Sequence, residues 1–231
     1  MNDIMTTIHL GSGISYEDGL RLQDAAVEAL LDGSGGETLF LLEHTPVYTI
    51  GRQRDQSSLR DPSALPAAVV ETNRGGQATY HGPGQLVGYP ILDLRERKRD
   101  LHAHLRGLEE ALILTCRDFG IPATRRDGLT GVWVENRKLA SIGVGVRKWI
   151  SMHGFAINIT ADCLLPFFAI TPCGIDGVVM SCVEHEAGRP VSVEDFSSAF
   201  LPRFTGVFAR GPRSFSPGCP PPVHQPPGSI P

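Results

Sequence analysis

The stretch Arg74-Gly75-Gly76-Gln77-Ala78-Thr79-Tyr80-His81-Gly82-Pro83-Gly84-Gln85 decides how the rest of this sequence is interpreted. It holds four glycines and one proline. Both residue types oppose a helix, and proline cannot donate to the ladder of a central strand. The composition predicts a bent segment, neither a helix nor the centre of a strand, whose backbone can approach a ligand closely. A surface turn between two strands would have the same composition, so the stretch alone leaves both interpretations open.

Length and composition are those of an ordinary globular protein. The chain has 231 residues, 41% of them hydrophobic and 20% charged, which is enough for one large domain or two small ones with a sizeable core. Its formal net charge of −4 gives no strong field toward nucleic acid or an anionic membrane. No apolar run is long enough to span a bilayer. We therefore expect neither nucleic acid nor a membrane as a partner.

The cysteines predict free thiols. They are scattered and contain no C-x-x-C pair, at Cys116, Cys163, Cys173, Cys182 and Cys219. This spacing argues against a zinc site or a thioredoxin-like motif, and we expect no bound metal. Met1-Asn2-Asp3 does not begin a secretory signal. The expectation is a cytoplasmic protein in a reducing compartment.

Hydrophobic periodicity predicts the secondary structure. Apolar residues recur at helical spacing in residues 15–31, 101–119 and 192–208, the last segment with Ser192 as its N-cap. Apolar or alternating runs predict strands at 38–42, 67–72, 86–94 and 153–159, a β-rich piece before Gly51-Arg52, and a hairpin of 131–135 with 139–146 that turns at Asn136-Arg137-Lys138. The predicted class is α+β, with a mixed β-sheet and flanking helices.

The C-terminal residues differ in composition. From Gly211 to Pro231, Pro, Gly and Ser dominate, and such a segment buries too little apolar surface to offset its ordering entropy. We predict one folded domain over residues 1–210 and a disordered tail over 211–231.

Several residues could carry chemistry. Cys173 lies between Pro172 and Gly174 in a predicted loop, whereas Cys116 lies on the core-facing stripe of a helix. Lys138, at the predicted hairpin turn, has the ordinary interpretation of a solvated lysine. His44, His81 and His153 could be proton donors or satisfied polar groups, and a lone cysteine is usually a small buried hydrophobe. No serine nucleophile elbow and no Walker-type phosphate loop is present.

The order of the motifs is more specific than any one of them. The match runs from about Glu43 to Cys182, and its motifs are EHTPV followed by GR, RGGQATYHGPGQ, GVWV, RKLASIG, HGFAIN and ITPCGI. In this order they resemble the octanoyltransferase family of lipoic acid synthesis, the lipoyl(octanoyl) transferases. The Pro-rich tail lies outside the resemblance.

The resemblance implies an activity and a fold. Such enzymes move an octanoyl (or lipoyl) group from the thioester of acyl carrier protein to a lysine of lipoyl domains, those of 2-oxoacid dehydrogenases and the glycine cleavage H protein. No cofactor is implied. The implied fold is the catalytic domain shared with lipoate and biotin protein ligases.

The resemblance also implies the site. It makes Cys173 the acylated nucleophile and Lys138 its partner, with His153, His44 and Asn158 in support. The implied substrate-binding residues form three groups: Arg74, Gly75, Gly76, Gln77, Ala78, Thr79, Tyr80 and His81; Ser141, Ile142 and Gly143; and Gly154, Phe155 and Ala156.

The chemistry fits these assignments. Transfer from a thioester to an amine runs downhill, so no nucleotide is required, and a covalent intermediate divides it into two steps. A positioned proton carrier, here Lys138, is worth about 10²–10⁴ in rate. Arg137 and Arg147 are candidate cationic neighbours of Lys138. Candidate docking contacts for protein partners are Arg52, Arg74, Arg147 and Lys148.

Three alternatives stay open at this point. An ATP-dependent lipoate or biotin ligase would form an acyl-adenylate and would not need Cys173. A hydrolase using Cys173, Lys138 and Glu43 would release octanoate to water. A non-catalytic module that binds carrier proteins would form no acyl-cysteine.

Overall fold

The computed structural model describes residues 5–52, 56–59, 61–174 and 177–209, without the side chains of Gln56 and Cys173. Its strands are β1 Thr6–Ile14, β2 Thr38–His44, β3 Val47–Ile50, β4 Ala68–Glu71, β5 Thr79–His81, β6 Gln85–Ile91, β7 Thr124–Arg126, β8 Leu129–Val134, β9 Arg137–Arg147, β10 Ile150–Asn158 and β11 Val179–Met180. Its helices are α1 Tyr16–Asp32, α2 Leu101–Asp118, α3 Val183–Ala187 and α4 Val193–Phe208. Short 3₁₀ segments include Ala161–Ala169 and Pro172–Gly174.

Two sheets organise the described residues. The larger has the order β1-β2-β6-β10-β9-β8-β7, with β11 added to β9. β1 is parallel to β2 and β11 is parallel to β9, whereas the central pairs are antiparallel. The smaller sheet has the order β4-β3-β5. The fold is therefore a mixed sheet with flanking helices, and the predicted class is confirmed.

Alternation along the central strands gives each face of the large sheet its own core. On β2, Leu39 and Leu41 pack with α2 and α4, while Phe40 and Leu42 pack with α1. This is the period of two expected of strands covered on both faces. The large sheet is thus the middle layer of the fold, with α2 and α4 packed on one face and α1 on the other.

The predicted helices begin at side-chain caps. The Oγ of Ser15 accepts from the Asp18 amide, and the Oγ of Ser192 accepts from the Asp195 amide, each over 3.0 Å. These bonds satisfy amides that have no partner inside the helix. The prediction of Ser192 as an N-cap is confirmed. Among the described helices, none combines the length and apolar character needed to cross a bilayer.

The structure differs from the sequence predictions at two important points. The Gly-rich stretch contains a strand, β5, which pairs with β3 through Thr49–Thr79, Tyr48–Tyr80 and Val47–His81. Proline and glycine follow this strand rather than interrupt it, so the expectation that no strand passes through the stretch is wrong. Lys138 lies inside β9, not in a hairpin turn, and it is only 2% exposed.

Some elements were not predicted. β1, β7, β11 and α3 were missed, and β10 begins at Ile150, three residues before the predicted strand. The predicted tail, residues 211–231, lies outside the described residues.

Candidate active site

A narrow slot lies between the Gly-rich stretch and strands β6, β9 and β10. Its cavity volume is about 50 Å³. One wall comes from the stretch itself, and the other from the two adjoining segments of β9 and β10. The lining residues are Tyr16, Arg74, Gly75, Gly76, Gln77, Thr79, His81, Val87, Tyr89, Ser141, Ile142, Gly143, His153, Gly154, Phe155 and Ala156.

Arg74 holds the stretch in shape. Its Nη2 donates to the carbonyl oxygens of Thr49 and Gln77, over 2.8 and 2.9 Å, and its Nη1 donates to the carbonyl of Gly75 over 2.9 Å. The residue is only 7% exposed. A guanidinium committed to backbone oxygens inside the protein does not suit a surface docking contact, so the structure contradicts that role for Arg74.

The stretch is also bonded to the large sheet. The amide of Gly75 donates to the carbonyl of Val144 over 2.9 Å. A Cβ at Gly143 would stand only 2.7 Å from the Gly75 carbonyl oxygen. The two backbones therefore approach more closely than a side chain on Gly143 would allow, and the slot remains narrow.

Aromatic and imidazole rings close the inner end of the slot. Tyr16 stacks on His81 with ring centroids 6.0 Å apart, and His44 lies behind both rings. The Nδ1–H of His44 donates to the carbonyl of Ile14 over 2.8 Å, so its Nε2 accepts from the hydroxyl of Tyr89 over 2.6 Å. In the neutral ring, these bonds select the tautomer that carries its hydrogen on Nδ1.

The histidines of this end are neutral near pH 7. Burial lowers the pKa of His44, and it lowers the pKa of His81 well below the usual value, with further lowering by His44 and Arg74. Burial, followed by the charges of Arg74 and Arg52, lowers the pKa of His153 to about 4. A slot with uncharged rings suits an apolar chain better than a charged one.

Two ring nitrogens in the slot lack a partner within the described part of the chain, Nδ1 of His81 and Nδ1 of His153. The other nitrogen of His153 lies 2.7 Å from the Asn73 side-chain oxygen, so it carries the hydrogen and donates. The free Nδ1 of His153 is then an acceptor. Each of these nitrogens can bond a polar group or a water brought into the slot.

Lys138 lies on β9 beside the slot rather than within its lining. Its Nζ is 5.1 Å from the centroid of the Trp133 ring. Its backbone carbonyl accepts from the Ser181 amide over 2.9 Å, and its register partner on β11 is Met180. The lysine strand is thus bound directly to the strand that follows the cysteine loop.

The cysteine loop touches the slot through Gln77. Pro172–Gly174 form a 3₁₀ turn in which the Gly174 amide donates to the Thr171 carbonyl over 3.0 Å. A Cβ on Gly174 would collide with the side-chain carboxamide of Gln77. Gln77 therefore lies against the residue next to Cys173. The predicted nucleophile, the side chain of Cys173, is outside the described atoms.

Most of the predicted substrate-binding residues line the slot, and two do not. Ala78 and Tyr80 belong to the core of the small sheet, with Tyr48 and Phe167. The alternation of β5 explains the difference, because Gln77, Thr79 and His81 face the slot and the residues between them face away. Whether the lining residues bind substrate stays a prediction.

The predicted supporting residues occupy different positions. His153 lines the slot, and His44 lies one layer behind it. Asn158 lies elsewhere: its amide donates to the Ser181 carbonyl and its oxygen accepts from Gln85, both over 2.9 Å. Asn158 thus holds the segment after β11 against the central sheet.

Three lining residues were not predicted from the sequence, Tyr16, Val87 and Tyr89. Tyr16 is the first residue of α1 and is buried. Val87 and Tyr89 are alternate residues of β6 and share a face. The same alternation that predicted β6 could have indicated this pair.

The remaining predicted cations have other partners or positions. Arg137 pairs with Glu186 and Glu135, and these bonds raise the pKa of its guanidinium. Arg147 pairs with Asp24 and Glu28 of α1. Of the predicted docking contacts, Arg52 and Lys148 are exposed.

The three cysteines with described side chains are poor nucleophiles. Burial raises the pKa of Cys116 to about 12, and it raises the pKa of Cys163 and Cys182 as well. A buried thiol with a raised pKa has little reactive thiolate. The described residues include no group of three or more His, Cys, Asp or Glu side chains able to hold a metal ion.

Comparison with known proteins identifies the family. Residues 15–205 match the family described as the lipoyl protein ligase A/B catalytic domain. The chain belongs to this family. It is 50% identical over 196 residues to an octanoyltransferase of Geobacter sulfurreducens, across 85% of this chain and 82% of that one.

Solved structures of a lipoate ligase and a biotin ligase share the fold. A bi-partite lipoate protein ligase from Thermoplasma acidophilum superposes with a TM-score of 0.64 at 17% identity, covering 88% of this chain and 84% of that one. Biotin protein ligase from Aquifex aeolicus gives 0.54 at 13% identity, covering 87% and 69%. The predicted likeness to lipoate and biotin ligase catalytic domains is confirmed at the level of fold.

Proposed function

We propose that this chain is an octanoyltransferase of lipoate synthesis. It takes the octanoyl group from the thioester of acyl carrier protein and transfers it to a lysine of a lipoyl domain, such as those of 2-oxoacid dehydrogenases or the glycine cleavage H protein. The observation that carries the proposal is a slot lined by uncharged rings and Gly-rich backbone, whose Gln77 lies against the residue next to Cys173. The 50% identical octanoyltransferase supports it. The reaction takes place in the cytoplasm.

Cys173 accepts the octanoyl group in the first step. Its sulfur attacks the thioester carbonyl, a carbon–sulfur bond forms, and the bond to the carrier's sulfur breaks. The proton released by the Cys173 thiol passes through Lys138 to the departing carrier thiol. The acyl chain meanwhile lies in the slot, where burial of each methylene contributes about 0.8 kcal/mol.

The lipoyl-domain lysine takes the octanoyl group in the second step. Its neutral amine attacks the Cys173 thioester, an amide bond forms, and Lys138 carries the released proton to the departing Cys173 sulfur. Both steps together convert one thioester and one amine into one thiol and one amide. The overall reaction consumes no nucleotide.

The proton carrier has a position suited to this role. Lys138 is buried, with its Nζ against the Trp133 ring rather than in open solvent. Its strand is bonded to β11, so the cysteine loop and the lysine are connected over few residues. Such an arrangement favours a fixed donor and acceptor over a mobile surface lysine.

The hydrolase alternative needs a carboxylate near the cysteine. The Oε2 of Glu43 accepts instead from the Gly84 amide over 2.7 Å, and Glu43 does not line the slot. This position does not favour Glu43 as a base for water.

Reconstitution tests the proposal. The protein is mixed with octanoyl-acyl carrier protein and an apo lipoyl domain, with and without ATP, and the products are weighed by mass spectrometry. The expected product is an octanoylated lipoyl domain formed equally in both mixtures. A strict need for ATP with free octanoate would identify a ligase, and release of free octanoate would identify a hydrolase.

A further inference from the structure

Glu109 is a buried carboxylate that the reaction above does not use. It lies on α2 and is 0% exposed. Its Oε2 accepts from Nη1 of Arg106 over 2.6 Å and from Nε of Arg125 over 3.0 Å. A buried charge is costly unless it is paired and hydrogen bonded, and these two guanidinium groups meet that requirement.

The other oxygen of Glu109 reaches the large sheet. Its Oε1 accepts from the backbone N–H of Gly131 over 3.1 Å, in a buried contact. Gly131 lies where β8 bulges against β7, because the pairing passes from Thr124–Trp133 directly to Arg126–Leu129. A bulge interrupts the regular ladder. The carboxylate of Glu109 acts as the acceptor for Gly131 at this interruption.

Gly131 lies directly beneath the end of the Lys138 side chain. A Cβ on Gly131 would stand 2.9 Å from Cε of Lys138 and 3.5 Å from its Nζ. The φ angle of Gly131 is +133°, in the region that favours glycine. Trp133, two residues further along β8, presents its ring to the same amine. The end of the Lys138 side chain thus packs against two residues of β8, Gly131 and Trp133.

We propose that Glu109 is a positioning residue for the Lys138 amine. It acts through Gly131: the carboxylate holds the Gly131 amide in the bulge, and Gly131 sets the surface over which Lys138 reaches the cysteine loop. The inference rests on the proposed function, since it assigns Lys138 as the proton carrier. Glu109 itself touches no reacting atom.

The two functions of the carboxylate can be separated by substitution. Glu109→Gln keeps a carbonyl oxygen for the Gly131 N–H and loses the charge that balances the arginines. Glu109→Met has similar length and keeps neither. Glu110→Gln is the matched control, because Glu110 lies on the same helix and accepts from Nη2 of Arg125 over 2.6 Å rather than from Gly131.

The decisive experiment is a double-mutant cycle between Glu109 and Lys138. The rate of octanoyl transfer from octanoyl-acyl carrier protein is measured for the single variants and for each of them combined with Lys138→Ala. Displacement of a catalytic group by about 1 Å costs about 10²-fold. We expect Glu109→Met to lower kcat by about that factor with KM unchanged, and Glu109→Gln and Glu110→Gln to stay within a few-fold of the starting protein.

The Lys138→Ala background separates positioning from folding. If Glu109 acts through Lys138, Glu109→Met has almost no further effect once the amine is absent. If Glu109→Met lowers the transfer rate by the same factor in both backgrounds, the proposal is overturned, because Glu109 would then only support the folded structure. If Glu109→Met does not unfold cooperatively, Glu109→Leu, which also lacks both carboxylate oxygens, replaces it in the same cycle.

A spectroscopic readout keeps this inference distinct from the proposed function. Lysines of the full chain are labelled by reductive ¹³C-methylation, and the Lys138 signal is assigned from Lys138→Arg. We expect Glu109→Met to shift that signal and Glu110→Gln to leave it in place. An unshifted Lys138 signal in Glu109→Met would refute positioning even if transfer fails. A shifted signal in a protein that transfers no octanoyl group would refute the proposed function alone.

Discussion

The backbone amide of Ser181 donates to the carbonyl of Lys138 over 2.9 Å. This bond ties the segment that leaves the cysteine loop to the strand that carries the candidate proton carrier. Asn158 reinforces it from the other side, because its amide donates to the Ser181 carbonyl. Two segments that are distant in sequence are thereby held in one register.

Replacement of Lys138 should slow transfer without preventing carrier binding. We expect Lys138→Ala to lose about 10²–10⁴ in rate, the usual worth of a positioned proton carrier. Lys98→Ala is the control, since Lys98 is an exposed lysine that neither lines the slot nor was predicted to contact a protein partner. The rate is measured in single turnovers, and binding of octanoyl-acyl carrier protein by calorimetry. Full activity in Lys138→Ala would remove the lysine from the mechanism.

A methyl group on Gly174 should disturb the cysteine loop. Gly174 has φ of +64°, and a Cβ there would collide with Gln77. Gly177→Ala is a matched control, because Gly177 has φ of +73° and a Cβ there would meet no atom of the described residues within 4 Å. We expect Gly174→Ala to slow acylation much more than Gly177→Ala, and Gln77→Ala to restore part of that loss. Equal losses in the two alanine variants would mean that backbone strain, not the contact with Gln77, is the cause.

The slot should discriminate acyl chains by length. Two methylenes fewer mean a loss of about 1.6 kcal/mol, or about 15-fold. We therefore expect kcat/KM for hexanoyl-acyl carrier protein to be lower than for the octanoyl form by about that factor. Ala156→Leu, which fills part of the slot wall, should reduce or reverse the preference. If the ratio of octanoyl to hexanoyl kcat/KM is identical in Ala156→Leu and the starting protein, the acyl chain does not bind in the slot.

Stability should fall in mild acid because of His104. Both of its ring nitrogens lack partners within the described residues, and burial, with Arg97 nearby, lowers its pKa to about 4. Above pH 6.5 the ring is neutral in both the folded and the unfolded chain. Between pH 6.5 and 4 only the unfolded chain gains the proton, so the free energy of unfolding decreases by up to about 3 kcal/mol.

Replacement of His104 isolates its share of that loss. We expect His104→Leu to retain more of its stability between pH 7 and 4.5, measured by urea unfolding at each pH. The variant should also gain stability at pH 7, because an unpaired polar ring packed against Phe208 is removed. A parallel pH dependence in the two proteins would contradict the assignment.

Long periodic segments were the most predictable part of the fold. The stripe of α2 and the Ser192 cap of α4 depend on local spacing, which the sequence displays directly. β1 was harder, because Gly11 and Gly13 interrupt it and its register shifts at both. β5 was hidden because a strand of three residues between glycines has no period to detect.

The site was predictable as a set of motifs and not as a geometry. The motif order indicated which segments meet, and most of their residues line one slot. Burial of Lys138 depends on β11 and Trp133, which lie far from it in sequence or on a neighbouring strand. One local feature of the sequence indicates the burial of Glu109. It follows Leu108 and lies three residues before Leu112, beside the apolar stripe of α2, where a solvated charge is not expected.

The account depends most on the passage of the octanoyl group through Cys173. The direct test is the intact mass of the protein after mixing with octanoyl-acyl carrier protein alone, followed by peptide mapping and addition of an apo lipoyl domain. We predict one octanoyl group on Cys173 that disappears as the lipoyl domain gains it, and no adduct or transfer in Cys173→Ser. Transfer at the full rate in Cys173→Ser, or an octanoyl group mapped to another residue, would contradict the account.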